Sequence, residues 1–110
     1  MHTVIELPEY LRRAKAIMSA DERGAIVDFL AANPAAGISL GGGLRKVRTG
    51  REGGGKSGGY RTVYVFGGAD IPLFLVTVFA KNEKDNLTRA ELSEAMHMSK
   101  TLIATYGAKR

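Results

Sequence analysis

The residues best suited to chemistry lie in one short segment, residues 41–61, which reads GGGLRKVRTGREGGGKSGGYR. It holds six basic side chains and one acidic side chain, so its charge of +5 equals the formal net charge of the whole chain. The six are Arg45, Lys46, Arg48, Arg51, Lys56 and Arg61. Because nine of the fourteen glycines fall in the same segment, the charge is carried on a glycine-rich ribbon. Such a concentrated positive patch predicts a surface that binds a polyanion.

Residues 50–57 match the pattern G-x-x-x-x-G-K-S of a nucleotide phosphate loop. That chemistry needs a helix directly after the loop, because the helix N-terminus holds the phosphate. Here two glycines and a strand-like run follow instead. We therefore reject the phosphate-loop interpretation, and with it the hypothesis that the protein hydrolyses nucleotides. The glycines predict a flexible arm that carries Arg51 and Lys56.

Metal and cofactor chemistry find no support in the sequence. The chain has two histidines and no cysteine, and no His, Asp and Glu residues share the spacing of a metal site. His2 and His97 are both distant in sequence from the basic segment, and His97 is expected on a helix surface or partly buried. We therefore expect no metal and no cofactor, and the lack of cysteine fits a reducing compartment.

The length of 110 residues predicts one domain over residues 1–110. The longest apolar run, residues 71–80, is much shorter than the roughly 20 residues of a membrane span. Charged residues interrupt the N-terminal region where a signal peptide would lie. These features indicate a cytoplasmic protein without a membrane partner, and the basic balance favours a phosphate-bearing or acidic protein partner.

The elements before the basic segment form a strand and a helical hairpin. A short strand at residues 3–6 is followed by a helix that begins at Pro8. A second helix begins at the capping box of Ser19 and Glu22 and stops at Asn33. Apolar stripes on both helices are predicted to face the core. They comprise Leu7, Leu11, Ala14, Met18, Ile26, Phe29 and Leu30.

After a predicted loop at residues 35–42, three strands are expected at residues 44–49, 60–66 and 71–79. The last is apolar without alternation, which indicates a strand buried on both faces. A final helix starts at a second capping box, Thr88 and Glu91. The order β-α-α-β-β-β-α predicts an α+β fold with an antiparallel three-stranded meander and its helices on one sheet face.

Three motifs together resemble the RelE/HigB toxins of bacterial type II toxin–antitoxin systems. They are GGLRKVR at residues 42–48, GKSGGYR at residues 55–61 and FAKNEKDNLT at residues 79–88. The resemblance covers nearly the whole chain and implies the small RelE-like α+β fold. It also implies a toxin that enters the ribosomal A site, cleaves mRNA there and inhibits translation. A cognate antitoxin is implied as its partner, often a helix-turn-helix repressor in the HigB-like branch.

RNA can be cleaved without metal when its own 2′-OH attacks the adjacent phosphorus. The protein must then remove a proton, neutralise the phosphate and protonate the leaving 5′ oxygen. Arg61 suits the phosphate, because its guanidinium is a planar and permanently charged fork at the start of a strand. A lysine among positive neighbours can serve as a base.

The resemblance implies roles for five basic residues of this chain. It assigns catalysis to Arg61, RNA binding with possible catalysis to Lys46 and Arg48, and membership of the catalytic basic cluster to Lys81 and Lys84. From their charge or aromatic ring, five further residues are expected to bind RNA: Arg45, Arg51, Lys56, Tyr60 and Tyr64, the tyrosines as base-stacking rings or as core residues. The sequence departs from the family at Asn82, where some relatives have Arg, and at Leu87, where a base-stacking Tyr is expected.

Other interpretations of the same residues remain open at this point. Arg61 can pair with Glu52 or a helix acid, and residues 81–85 can be an ordinary charged turn before a helix. The departures at Asn82 and Leu87 are compatible with an RNA- or ribosome-binding protein that does not cleave. The basic segment can also be the surface to which an antitoxin docks.

Overall fold

The computed structural model describes residues 1–50, 59–84 and 86–107. Within these ranges three helices pack on a five-stranded mixed sheet, which confirms the predicted α+β fold. The elements are β1 Val4–Glu6, α1 Pro8–Ile17, α2 Ala20–Ala32, β2 Ile38–Gly41, β3 Leu44–Thr49, β4 Tyr60–Val65, β5 Leu73–Ala80 and α3 Arg89–Gly107. None of the helices in the described ranges combines the length and apolar character needed to cross a membrane.

The sheet has the strand order β1-β5-β4-β3-β2. Strands β3, β4 and β5 form the predicted antiparallel meander, and β1 pairs in parallel with β5. Strand β2 pairs with β3 at the opposite edge, where the sequence predicted a loop, so that prediction was wrong. Three of the four β2 residues are exposed and the strand ends in glycine, so no alternation of polar and apolar residues marks it.

Both predicted capping boxes are present. The Ser19 hydroxyl accepts the Glu22 N–H at 3.1 Å, and the Glu22 carboxylate accepts the Ser19 N–H at 2.9 Å. Thr88 and Glu91 make the same reciprocal pair at 3.1 and 2.8 Å. Because each box satisfies backbone N–H groups that have no partner within the helix, the box sets where the helix begins.

The helices cover both faces of the sheet, so the predicted one-sided packing was wrong. Helices α1 and α2 pack on one face, here the α1/α2 face, where Leu30 and Tyr64 share a core cluster. Helix α3 packs on the other, the α3 face, where Ala95 joins Val63 and Phe74. The uniformly apolar β5 contributes to both clusters, as its pattern predicted, and such a strand requires cover on both sides.

The predicted apolar stripes of α1 and α2 are buried at four of their seven positions, and Leu7 and Leu11 are partly buried. Ala14, Met18, Ile26 and Leu30 lie in the core. Phe29 is 42% exposed, which contradicts its predicted core position.

Candidate nucleic-acid interface

The register between β3 and β4 brings basic side chains together. Arg48 lies directly opposite Arg61 in the antiparallel pair, and Lys46 lies opposite Val63. Opposite residues share a sheet face, and the intervening Val47 belongs to the α1/α2 core, so the three basic residues lie on the α3 face. The predicted placement of Lys46 and Arg48 on one face is therefore confirmed.

Glycine is required where this register begins. A Cβ atom on Gly59 would overlap the backbone carbonyl of Thr49, which pairs across the strands with Tyr60. The Gly59 carbonyl accepts the Lys81 N–H at 3.0 Å, which ties the end of β5 to the start of β4. The close approach of these chain segments therefore holds Arg48, Arg61 and Lys81 near one another.

Among the described residues, four basic side chains line one cavity of about 700 Å³. We call it the cationic cleft; its basic residues are Lys46, Arg48, Arg61 and Lys81. Arg61 is only 5% exposed and lies between β3 and β5 in the sheet, so its backbone is held on both sides. A concave site with converging positive charges can bind and neutralise a phosphodiester.

Lys46 is held in the cleft by a residue that sequence reasoning missed. Its Nζ donates a hydrogen bond to Oδ1 of Asn86, which also lines the cleft. Asn86 lies within the third motif, just before α3 begins. The one feature of the sequence that could have pointed to Asn86 is its polar side chain next to the expected basic cluster. The contact fixes the position of one ammonium group relative to the α3 face.

A family model described as the RelE toxin of the RelE/RelB toxin–antitoxin system matches residues 11–109. This chain belongs to the RelE toxin family. It is therefore a toxin of a toxin–antitoxin system, with an antitoxin as its partner. The match includes every basic residue of the cationic cleft.

The two tyrosines predicted to bind RNA lie on the opposite face of this RelE-family toxin. Tyr64 is fully buried, and its hydroxyl oxygen accepts the Gly37 N–H at 3.1 Å. Tyr60 is 4% exposed, and its hydroxyl donates to the Ile17 carbonyl at 3.0 Å. Both rings pack in the α1/α2 core, so neither presents a face on which a base can stack.

Arg45 also has a structural position on the α1/α2 face. Its Nη2 donates to the carbonyls of Ala35 at 3.1 Å and Gly37 at 2.5 Å. These bonds tie the segment before β2 to β3. Arg45 is thereby separated from the four residues of the cleft.

The predicted RNA-binding residues Arg51 and Lys56, and the predicted arm around them, lie outside the described residues.

Lys84 is separated from the cleft by an ion pair with α3. Its Nζ contacts both carboxylate oxygens of Glu91, at 2.7 and 2.8 Å, and lies 5.2 Å from the centre of the Phe79 ring. The Lys84 hydrogen bond, followed by the Thr88 N–H, holds the pKa of Glu91 below its usual value. His97 is exposed on α3, as predicted, and lines a different surface cavity.

A second cavity of about 480 Å³ adjoins the cationic cleft. We call it the α2 pocket; it lies between α2 and the end of β3. Its lining comprises Asp21, Glu22, Ala25, Ile26, Phe29, Arg48, Thr49 and Gly50. Phe29 and Arg48 line both cavities, which therefore share a wall.

The two cavities meet because β3 is longer than its edge partner. The β2–β3 pairing reaches only from Gly41 to Ile38, which lies opposite Lys46. Residues 47–49 pair with β4 and, among the described strands, have no partner on the other side. This uncovered end of β3 connects the α3 face, which carries the cationic cleft, with α2.

Proposed function

We propose that this toxin is a ribosome-dependent endonuclease that cleaves mRNA in the cytoplasm and thereby inhibits translation. The observation that carries the proposal is the cationic cleft, in which a buried Arg61 and three further cations converge in a RelE-family chain. The ligand favoured by such a cavity is the phosphodiester backbone of RNA.

The arginines bind and neutralise the scissile phosphate. Arg61 is the principal clamp, because a guanidinium offers two parallel donors to phosphate oxygens and its strand holds it rigidly. Arg48 stands opposite and contributes a second positive charge. Negative charge grows on the phosphate oxygens in the transition state, so both contacts strengthen as the reaction proceeds.

The lysines are the cleft cations that can exchange protons. A guanidinium does not lose its proton in proteins, so proton transfer falls to Lys46 and Lys81. In the reaction the 2′ oxygen loses its proton and bonds to phosphorus, and the bond from phosphorus to the 5′ oxygen breaks. The 5′ oxygen then takes a proton, which leaves a 2′,3′-cyclic phosphate and a 5′-hydroxyl.

The proposed reaction needs no metal, since the four cations supply the positive charge that a metal ion would otherwise bring to the phosphate. At a fixed magnesium concentration that keeps the ribosome intact, we expect cleavage to be insensitive to chelators that remove transition metals but spare magnesium. The ribosome in turn would align the 2′-OH with the phosphorus, and positioning of this kind can contribute up to roughly 7–11 kcal/mol. Free RNA is therefore expected to be a poor substrate.

The antitoxin of this toxin is proposed to be a helix-turn-helix protein, as in the HigB-like branch. An acidic or amphipathic antitoxin segment that covers the basic surface would compete with RNA for it. Release of the toxin would then expose the cleft to the ribosome. Whether added antitoxin prevents ribosome binding tests this part of the proposal.

Induced expression of the wild-type chain and of two Arg61 variants tests the endonuclease. The wild type should arrest growth and leave cuts within translated codons, which primer extension detects. Arg61→Ala should restore growth, and Arg61→Lys should retain a fraction of the cleavage because it keeps the charge but not the fork. Circular dichroism and the thermal midpoint show whether each variant is folded. Normal growth with intact message in wild-type cells would refute the proposal.

A second candidate function is RNA or ribosome binding without cleavage. Leu87, at the position where a base-stacking tyrosine was expected, is a partly buried member of the α3 core, and Asn82 is exposed. This function predicts inhibited translation with intact mRNA. Primer extension on a translated message distinguishes it from cleavage.

A further inference from the structure

We infer that the α2 pocket is a nucleobase subsite, in which Phe29 stacks on a base of the RNA whose phosphate lies in the cationic cleft. The inference rests on the proposed function in mRNA cleavage and adds to it how the protein recognises a base of the bound RNA. Its starting observation is an aromatic ring, 42% exposed, on the wall that the two cavities share.

The pocket has the size and lining of a site for a planar, largely apolar ligand. Its volume of about 480 Å³ lies within the range of ~300–1,000 Å³ that is common for small-molecule sites. Ala25, Ile26 and Phe29 form an apolar wall along α2. An aromatic ring beside a cationic groove is how proteins bind single-stranded nucleic acid, with the base on the ring and the backbone in the groove.

Arg48 links the pocket to the phosphate site. It lines both cavities and lies opposite Arg61. A nucleotide whose phosphate contacts Arg48 can therefore place its base against Phe29 around the uncovered end of β3. The charges of the cleft make a polyanion the occupant that suits both cavities, because an uncharged peptide would use only the apolar wall.

Asp21 supplies the selectivity of the pocket. The neighbouring Glu22 is already engaged, since its carboxylate accepts the Ser19 N–H and lies 3.1 Å from the Tyr60 hydroxyl. Asp21 is exposed at the rim in the first turn of α2. An ionised carboxylate only accepts hydrogen bonds, so it favours a base that presents two adjacent donors. Guanine offers two adjacent donors, N1–H and the N2 amino group, and is the expected preference.

Binding of uncleavable RNA by the full chain tests the subsite. The probes are 2′-O-methyl tetranucleotides that carry guanine, uracil or an abasic residue at one position, with affinity read by fluorescence anisotropy at low salt. Wild-type protein should prefer the guanine probe. Phe29→Ala should weaken guanine binding about tenfold and leave the abasic probe unchanged, because stacking is absent there. Phe29→Tyr should retain the affinity.

The controls separate base reading from folding and from phosphate binding. Met98→Ala removes an apolar side chain of nearly the same exposure, 41%, on α3 and should not change the affinity for any probe. Asp21→Asn should remove the preference for guanine while abasic binding persists. Arg61→Ala should weaken all probes alike, including the abasic one.

The possible results separate the inference from the proposed function. If Phe29→Ala binds every probe as the wild type does while Arg61→Ala weakens them, RNA binding stands and the base subsite is refuted. If Phe29→Ala loses affinity for the antitoxin but not for RNA, the pocket is a protein-docking surface and the inference is refuted. If the wild type neither binds these probes nor cleaves translated mRNA, the proposed function fails as well.

Discussion

At the scale of single residues, three buried tyrosines show how burial and hydrogen bonding decide a role. The hydroxyls of Tyr60 and Tyr64 have partners in the backbone. The Tyr10 hydroxyl is buried without a hydrogen-bond partner among the described residues. Burial, with a smaller contribution from Glu6, raises the pKa of Tyr10 well above its usual value, so the ring stays neutral. The sequence of a strand does not show whether a tyrosine hydroxyl is buried and bonded to the backbone, which is why Tyr60 and Tyr64 were predicted at the RNA surface.

Matched Tyr→Phe changes should therefore act in opposite directions. Tyr10→Phe removes a buried hydroxyl that lacks a partner, so the free energy of unfolding should stay the same or rise by up to about 1 kcal/mol. Tyr64→Phe leaves the Gly37 N–H without its acceptor and should lower that free energy by about 1–2 kcal/mol. Urea denaturation of both variants measures the difference.

The pH dependence provides an internal check on Tyr10. Because its pKa is raised on folding, its contribution to stability is complete below the unfolded pKa near 10 and is lost as pH rises above it. Wild-type protein should lose stability above about pH 10, and Tyr10→Phe should lose less. Equal alkaline losses in both proteins, or a destabilised Tyr10→Phe, would contradict this account.

At the scale of elements, local signals in the sequence predicted most of the fold. Capping boxes marked the starts of α2 and α3, β-branched and aromatic residues marked β4, and a continuous apolar run marked β5. The short, exposed β2 carries no such pattern and depends on pairing with β3. Two predictions conflicted: all helices were placed on one sheet face, yet β5 was predicted to be buried on both faces. In the structure helices cover both faces, as the burial of β5 requires.

The site was less predictable than its elements because it depends on register. Like charges directly opposite each other destabilise a strand pair, so pairing rules would not place Arg48 against Arg61. Ten residues, 50–59, separate the two strands in the sequence, which is longer than the two-residue loops that fix the register of a hairpin. The position of Phe29 was also hidden, since its spacing fits the apolar stripe of α2 whether or not another element covers it.

Gly59→Ala should disrupt this register at the site. The added methyl group would overlap the Thr49 carbonyl and force the ends of β3 and β4 apart. We expect a loss of about 1–3 kcal/mol in the free energy of unfolding, as for other overpacked positions. Cleavage should fall further than stability, because Arg48 and Arg61 would separate.

Gly24→Ala is the matched control for this change. A methyl group on Gly24, within α2, meets no atom within 4 Å. Alanine favours helix over glycine by about 0.5–1 kcal/mol, so this variant should be slightly more stable and fully active. Unchanged cleavage by a folded Gly59→Ala protein would show that the register does not position the site.

At the scale of the whole molecule, ion pairs engage Arg13 and Lys84, two basic residues that lie outside the cationic cleft. Arg13 contacts both Glu83 carboxylate oxygens at 2.6 Å, which holds the pKa of Glu83 below its usual value. Lys84 is paired with Glu91. The Arg13 Nε also donates to the Val78 carbonyl at 2.8 Å, on the part of β5 that extends beyond its pairing with β1. Arg13 and Lys84 line a cavity that also holds Glu9, Glu91 and Glu94, whereas four basic residues and no described acidic residue line the cationic cleft.

This distribution predicts how RNA binding should depend on salt. Each phosphate neutralised on a single strand contributes about −0.7 to the slope of log K against log salt concentration, so three to four cleft contacts predict a slope of about −2 to −3. Lys81→Ala removes one such contact and should make the slope shallower by about 0.7. Lys84→Ala removes the same charge from the same loop, but from a side chain already paired with Glu91. Its slope should match that of the wild type. Anisotropy titrations of an uncleavable oligonucleotide from 50 to 300 mM salt (about a sixfold range) measure the slopes of the wild type and of both variants. Equal slopes for the two lysine variants would mean that RNA does not distinguish the cleft from the surrounding basic surface.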